Sequence, residues 1–221
     1  MAIVAEVRLM ADLQKLFDAI LKGDNKSAIA ITEDAIAEGV QPMTLITNYL
    51  IPAMNEVGGL FERGEYFVPE LLISARAMKG SLQLLRPLLA ASGTQPVGRV
   101  VIGTVKGDLH DIGKNLVSSM LEGGGFEVVD LGTDVTPEKF VQAIQEHKAN
   151  IVALSALLTV TMPMMKKTIE ALQQAEMRDR VKVMVGGAPV TREYADSIGA
   201  DGYSETATGA VSVARRLSTT L

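Results

Sequence analysis

A histidine flanked by two aspartates offers the clearest chemistry in this chain of 221 residues. It is His110, in the segment Asp108-Leu109-His110-Asp111-Ile112-Gly113. A neutral imidazole can bind a metal through one ring nitrogen when a carboxylate or carbonyl orients the other ring N–H. Asp108, two residues before the histidine, is the candidate for that carboxylate. A lone histidine is more often an ordinary polar loop residue, so the interpretation of His110 as a metal ligand depends on the segments that follow.

Two further segments follow this one, and each lies at the end of a predicted strand. Forty-one residues separate Gly113 from Ser155-Ala156-Leu157, and 28 residues separate Leu157 from Gly186-Gly187. Ligands of parallel sheets bind beyond the carboxyl ends of the strands, where glycines let a ligand approach the backbone. The three segments together predict one ligand site at that edge of a sheet.

The second half of the chain must supply this sheet. From Arg99, strand and helix patterns alternate. Apolar runs predict strands over residues 100–105, 126–131, 150–154, 181–185 and 201–203. Helices are predicted over 112–122, 136–147, 163–175, 191–198 and 207–218. These units predict an α/β Rossmann-like (flavodoxin-like) domain whose five-stranded parallel sheet has helices on both faces.

The first half of the chain shows only helical patterns. Helices are predicted over 5–21, from Asp24 or Asn25 to Gly39, over 42–57 with Gly58-Gly59 as the stop, and over 69–91. Four helices joined by short links predict a four-helix bundle. The predicted domains are therefore a helical bundle over 1–91, a linker over 92–98 (SGTQPVG) and the α/β domain over 99–221.

The composition excludes several classes of protein. A net charge of −5 argues against nucleic acid as a partner, because phosphate binding requires a basic surface. No apolar run is long enough to span a bilayer, so no membrane association is expected. The chain has no cysteine, and its N-terminus lacks a signal-peptide pattern, which favours the cytoplasm. Its only other histidine, His147, ends a predicted helix, so metal sites that need several histidines are excluded.

In order and spacing, the three segments resemble the signature of the cobalamin-binding domain of methionine synthase and of corrinoid methyl-carrier proteins. The resemblance implies cobalamin (methylcobalamin or a related corrinoid) bound base-off and His-on, with His110 as the axial cobalt ligand in place of the cofactor's own base. It implies a relay from His110 through Asp108 to the hydroxyl of Thr161, although Thr161 could instead cap the helix that begins at Pro163.

The same resemblance implies that the cofactor is held by residues from every segment of the signature. Ser155 would hydrogen-bond the displaced base, and Gly113, Gly186 and Gly187 would leave room for the nucleotide tail. The remaining implied contacts to the corrin or its tail are Gly107, Asp108, Leu109, Asp111, Ile112, Leu157, Thr159 and, less directly, Ala207.

Part of the helical half also resembles this family. Residues 57–61 and 64–71 are similar to the bundle that covers the upper face of the corrin. The resemblance implies that Phe61, Val68 and Leu71 lie over the methyl group, where an apolar cover excludes water. Many relatives have leucine at the position of Val68, so the fit of the cover can differ here. The alternative is that these residues form the core of the bundle.

The resemblance is closest to the corrinoid proteins of methyltransferase systems. It implies a methyl carrier that shuttles a methyl group, as Co(I)/methyl-Co(III), between two methyltransferases. The first takes the methyl group from methanol, a methylamine, a methoxylated aromatic or a betaine; the second delivers it to tetrahydrofolate or coenzyme M. A reductive activase is a further implied partner. Substrate catalysis would lie in these partners rather than in this chain.

Three alternatives share parts of this pattern. A cobalamin-dependent sensor has a similar lid and cobalamin domain but usually adds a DNA-binding module and tryptophan in the lid, and this chain has no tryptophan. The cobalamin-binding subunit of a mutase tends to lack the helical bundle. A flavodoxin-like domain without cobalt would share the fold but would not explain the spacing of the three segments.

Overall fold

The chain folds into two compact units, residues 1–94 and 95–221. A computed structural model describes residues 12–91 and 97–219, except for the side chain of Ala90. The start of the first predicted helix and most of the predicted 92–98 linker lie outside the described residues. Within the described ranges, no helix combines the length and the apolar character that crossing a membrane requires.

The first unit is built from helices, as the sequence predicts. They are α1 (Leu13–Leu21), α2 (Asn25–Ala37), α3 (Pro42–Leu45), α4 (Ile51–Glu62) and α5 (Val68–Ala91), with a π-helical turn over Ile46–Leu50 between α3 and α4. Asp24 caps α2, because its carboxylate accepts a hydrogen bond of 3.0 Å from the N–H of Ser27.

The predicted end of the third helix at Gly58-Gly59 is wrong. Helical structure runs from Pro42 through both glycines to Glu62. A glycine inside a helix costs about 1 kcal/mol relative to alanine. Here Val57 and Gly58 are buried, so packing of this face outweighs the local preference. The π-helical turn lies just before Pro52, which has no N–H to continue the regular ladder.

The second unit contains the predicted parallel sheet. Its strands are β1 (Arg99–Thr104), β2 (Glu127–Asp130), β3 (Ile151–Ser155), β4 (Lys182–Gly186) and β5 (Gly202–Tyr203). They lie in the order β2-β1-β3-β4-β5, and every pair is parallel. β2 therefore lies on one side of β1, and β3, the next strand in the chain, lies on the opposite side of β1. This reversal beside the end of β1 is where such sheets bind ligands.

Helices cover both faces of the sheet, and all five were predicted. They are α6 (Ile112–Gly123), α7 (Pro137–His147), α8 (Pro163–Gln174), α9 (Arg192–Ser197) and α10 (Ala207–Ser218). Successive strand residues point to opposite faces. Val101, Val152 and Val183 join the core formed with α7 and α8. Their neighbours Ile102, Ala153 and Met184 face the adjacent helices α6 and α10.

Candidate functional site

The loop between β1 and α6 is held in place by short hydrogen bonds. Gly107 has φ +82°, a conformation that favours glycine, and its N–H donates to Asp134 Oδ1 at 2.7 Å. The hydroxyl of Thr104, the last residue of β1, donates to the carbonyl of His110 at 2.7 Å. Gly107, a predicted cofactor contact, thus shapes the turn that presents His110.

Asp108 is the buried centre of the site, with no exposed surface. Its Oδ1 lies 2.7 Å from Nδ1 of His110 and also accepts the His110 backbone N–H. Its Oδ2 accepts the hydroxyl of Thr161 at 2.7 Å and the N–H groups of Leu157 and Leu158 at 2.8 and 3.2 Å. One carboxylate therefore joins the β1–α6 loop to the segment that follows β3.

The hydrogen bonds fix the charge of Asp108. Burial by itself would raise the pKa of this carboxyl, but the hydrogen bonds from His110, the Leu157 N–H and Thr161 outweigh burial and hold the pKa well below its usual range. Asp108 is therefore a carboxylate at neutral pH. A carboxylate facing Nδ1 assigns the ring proton to Nδ1 and leaves the lone pair on Nε2.

His110 presents that lone pair outward. Its side chain is 49% exposed, and among the described residues no group hydrogen-bonds Nε2. The described residues also contain no group of three or more histidine, aspartate and glutamate side chains that could enclose a metal ion. A metal at this site would therefore be held by one histidine and by a group that the ligand itself brings.

Thr161 contacts Asp108 and does not cap α8. The residue at the N-cap position is Met162, which makes no side-chain capping bond. The hydroxyl of Thr161 is buried and lies 2.7 Å from Asp108 Oδ2 and 2.8 Å from the Leu158 carbonyl. The structure thus brings His110, Asp108 and Thr161 into one hydrogen-bonded chain.

A cavity of about 520 Å³ opens beside His110, between the sheet and helices α6 and α10. Most of the predicted cofactor contacts line it: Leu109, His110, Asp111, Ile112, Gly113, Ser155, Leu157, Gly186, Gly187 and Ala207. Gly107 and Asp108 lie outside its lining, and so does Thr159, which is exposed. Ser155 lines the cavity, and its hydroxyl has no hydrogen-bond partner among the described residues.

The glycines of the site serve different purposes. A Cβ on Gly187, which has φ +132°, would lie 1.9 Å from the carbonyl oxygen of Ala156, so the protein's own backbone requires glycine there. A Cβ on Gly186 would approach the Ser204 carbonyl to 3.3 Å. At Gly113 no atom lies within 4 Å of an added Cβ. That glycine leaves room which the described protein atoms do not fill.

Several residues of the site were not predicted. Lys114 lines the cavity although it is buried, and its Nζ donates to Asp130 Oδ2 at the end of β2 and to Asn115 Oδ1. Asn115 in turn donates to Asp111 Oδ2 at 3.1 Å. The sequence holds a signal for this burial, since Lys114 shares the buried face of α6 with Leu121. The apolar floor formed by Ile102, Ala153 and Met184 was also missed.

Large apolar side chains on the two loops joined by Asp108 are exposed. Leu109 and Ile112, on the His110 loop, are 74% and 82% exposed, and Val160, next to Thr161, is 81% exposed. Apolar residues grouped on a surface in this way mark a binding site. The arrangement can hold a broad, partly apolar ligand over the loop, with a metal at Nε2 and an appended group in the cavity.

In the first unit, the residues predicted to cover a methyl group differ in exposure. Phe61 is half-buried in α4, Val68 is 39% exposed at the start of α5, and Leu71 is fully buried. Leu71 therefore belongs to the packed core of the described residues. The role of all three over a methyl group stays a prediction.

Comparison with known proteins identifies related chains over nearly the whole length. Two family models, each described as a B12 binding domain, match residues 98–212 and 12–86. The chain is 46% identical over 205 residues to trimethylamine corrinoid protein 1 of Methanosarcina acetivorans, covering 92% of this chain and 95% of that protein. It is 45% identical over 207 residues to the dimethylamine corrinoid protein of Methanosarcina barkeri, covering 93% and 96%.

A solved structure shows the same architecture. The methanol:cobalamin methyltransferase complex of Methanosarcina barkeri contains a chain that matches with a TM-score of 0.82 and 30% identity. The match covers 95% of this chain and 80% of that one. The similarity therefore extends through both units.

Proposed function

Because the chain belongs to the B12-binding family of corrinoid proteins that serve methyltransferase systems, we propose that it carries methyl groups on a cobalt atom whose axial ligand is His110. The family establishes a corrinoid as the cofactor. The proposal adds the mode of binding and the partners. The observation that carries it is the hydrogen-bonded chain His110–Asp108–Thr161, whose histidine lines a cavity of about 520 Å³.

The site fits a corrinoid bound with its own base displaced. His110 offers one free nitrogen, as axial ligation needs, and the exposed apolar side chains beside it offer a surface for the ring. The cavity beside the histidine offers a place for the nucleotide tail, and the open space at Gly113 belongs to it. When bound, the corrinoid supplies a cobalt centre that accepts and releases a methyl group.

The chain's own residues would control the proton on the axial histidine. With the corrinoid bound, Asp108 would hold the proton on His110 Nδ1 and so orient the ring with Nε2 free for the metal. Thr161 and the backbone N–H groups of Leu157 and Leu158 hold Asp108 in place for this role and keep it charged.

The names of the relatives support a particular methyl donor. Two of them are corrinoid proteins for trimethylamine and dimethylamine. We therefore favour a methylamine over methanol, methoxylated aromatics and betaines as the source of the methyl group. The same names favour a carrier over a sensor or a mutase subunit.

The proposed partners are the enzymes that load the methyl group onto the carrier and remove it. One is a methyltransferase specific for the methylamine, and the second delivers the methyl group to tetrahydrofolate or coenzyme M. A reductive activase would restore the cofactor after oxidation. A cytoplasmic location is part of the same proposal.

The axial ligand can be identified by isotope labelling, because the chain has only two histidines. The holoprotein is prepared with hydroxocobalamin and nitrogen-15 histidine, reduced to Co(II), and studied by electron paramagnetic resonance. Ligation by a protein histidine changes the nitrogen splitting from a triplet to a doublet. His110→Ala should abolish the label's effect. His147→Ala, at the exposed end of α7, is the matched control and should retain it.

A triplet that persists in the labelled wild-type protein would show that the cofactor keeps its own base, and the proposed ligation would then be wrong.

The methyl donor needs a separate experiment, in which trimethylamine, dimethylamine, monomethylamine and methanol are each tested with their methyltransferases. Methylation of the cofactor, followed by its absorption spectrum, should occur with an amine and not with methanol.

A further inference from the structure

Two rows of side chains cross the sheet beneath the cavity. Ile102, Ala153 and Met184 are paired in register on β1, β3 and β4, so they form one row. Thr104, Ser155 and Gly186 are paired in the same way two residues nearer the carboxyl ends. The inner row is apolar. In the outer row, Ser155 and Gly186 line the cavity, whereas Thr104 lies outside the lining and its hydroxyl donates to the His110 carbonyl. The cavity floor therefore has one hydroxyl in the outer row and none in the inner row.

Small residues create the space above the inner row. Ala153 stands between the larger Ile102 and Met184, and its methyl group leaves a notch in the row. On the opposite wall, α10 presents Ala207 and Ala210 to the cavity. All of the residues of the inner row are buried, with exposures of 2%, 5% and 3%.

The polar side chain closest to the inner row in the sheet register already has partners: Lys114 lines the cavity, but its Nζ donates to Asn115 and to Asp130, the residue of β2 paired with Ile102. Ser155 offers one unpaired hydroxyl in the outer row. Ser204, Glu205 and Thr206 line the cavity from the segment that leads from β5 into α10. Within the inner row itself, no side chain can donate a hydrogen bond to a ligand.

We propose that the row Ile102–Ala153–Met184 selects the lower base of the corrinoid, favouring a benzimidazole over a purine. This inference rests on the proposed ligation by His110, because only a displaced base is free to enter the cavity. A benzimidazole presents an apolar six-membered ring at one end and a single acceptor nitrogen at the other. That order matches an apolar inner row with one hydroxyl, Ser155, in the outer row.

A purine base would place polar atoms against the apolar side chains of the inner row. Adenine carries ring nitrogens and an amino group on its six-membered ring, and these would lose their water without gaining a partner. An unpaired buried polar group weakens binding by about ten- to a hundredfold. The inner row therefore discriminates by leaving polar atoms unsatisfied rather than by excluding them sterically.

Three corrinoids test the selection in the full-length wild-type protein. Hydroxocobalamin carries dimethylbenzimidazole, pseudocobalamin carries adenine, and diaquacobinamide has no nucleotide base. Dissociation constants come from absorption titrations and from calorimetry. Hydroxocobalamin should bind at least about tenfold more tightly than pseudocobalamin. Nitrogen-15 histidine splitting is recorded for each complex, so that ligation and selection are measured separately.

Two substitutions of one residue test the assignment to Ala153. Ala153→Val fills the notch with two methyl groups and suits a strand, so the apoprotein should keep its thermal midpoint. It should bind hydroxocobalamin about tenfold more weakly, while its affinity for diaquacobinamide stays unchanged. Ala153→Ser places a hydroxyl at the same point and should reduce the preference for benzimidazole over adenine several-fold.

The outcomes separate this inference from the proposed function. Equal affinity for the two complete cobamides, with histidine splitting present in both, would overturn the selection and leave the ligation standing. Absence of histidine splitting in every complex would overturn both. Equal weakening of diaquacobinamide and hydroxocobalamin by Ala153→Val would also overturn the assignment, because it would show damage that does not depend on the base.

Discussion

At the scale of single residues, the site depends on how completely Asp108 is hydrogen-bonded. Its Oδ2 accepts three hydrogen bonds, from the Thr161 hydroxyl and two backbone N–H groups, and its Oδ1 is hydrogen-bonded to the His110 ring. The link from Asp108 to His110 could be predicted, because the two are only two residues apart. The bond from Lys114 to Asp130 could not, because it depends on where β2 ends relative to α6.

Thr161 offers a matched pair of substitutions. Thr161→Ser keeps the hydroxyl that donates to Asp108, so the free energy of unfolding should change little. Thr161→Val keeps the shape but removes the donor, and we expect a loss of about 1 kcal/mol. Urea denaturation of the apoprotein measures both. Equal loss in the two variants would show that packing, and not the hydrogen bond, holds this residue.

The charge of Asp108 makes a pH prediction. Because folding lowers its pKa below the ordinary 3.8, the ionised group stabilises the fold above that pH. This stabilisation is lost as the pH falls from 3.8 towards the folded-state pKa. Asp108→Asn should therefore lower the free energy of unfolding at pH 7 by about 1–3 kcal/mol, and the deficit should shrink below pH 4. A deficit that is constant down to pH 3 would contradict this assignment, as urea denaturation across this range would show.

At the scale of elements, the sequence predicts the strands and helices well but their ends less well. Apolar runs and capping residues such as Thr136 and Thr206 determine most of the boundaries. Gly58-Gly59 misled the prediction because a glycine pair resembles a helix stop, whereas burial of Val57 and Gly58 carries the helix onward. The apolar row across β1, β3 and β4 depends on strand register, and no local pattern reports register.

Two glycines at element ends should respond in opposite ways to substitution by alanine. Gly187→Ala forces a Cβ to within 1.9 Å of the Ala156 carbonyl oxygen at φ +132°, so the backbone at one of these positions must shift and the protein should unfold at a markedly lower urea concentration. Gly113→Ala meets no described atom in the first turn of α6 and should stabilise the apoprotein by up to about 1 kcal/mol.

Gly113→Ala also distinguishes an effect on folding from an effect on cofactor binding. If Gly113 leaves space for the corrinoid tail, Gly113→Ala should weaken hydroxocobalamin binding while the apoprotein is as stable as the wild type or more so. Absorption titration alongside urea denaturation gives both quantities. Unchanged affinity in Gly113→Ala would mean that the space at this glycine is not used by the cofactor.

At the scale of the whole molecule, the site is assembled from segments far apart in the sequence. The cavity takes residues from β1, β3, β4, α6 and α10, and Asp108 joins the first of these segments to the loop after β3. A ligand that touches all of them should stabilise them together. A ligand present at about a hundred times its Kd adds about 2.7 kcal/mol to the stability of the unit that binds it.

Hydrogen exchange of the full-length chain can show how far this stabilisation reaches. Hydroxocobalamin should slow exchange in residues 105–113, 155–161 and 204–210, because each segment lines the cavity or holds His110. If Phe61 and Val68 cover the methyl group, methylcobalamin should also protect residues 60–71 in the first unit. His110→Ala serves as the control, since loss of the proposed bond to cobalt should weaken protection around the loop. Protection confined to the second unit with methylcobalamin would refute the predicted cover while leaving the cofactor site as described.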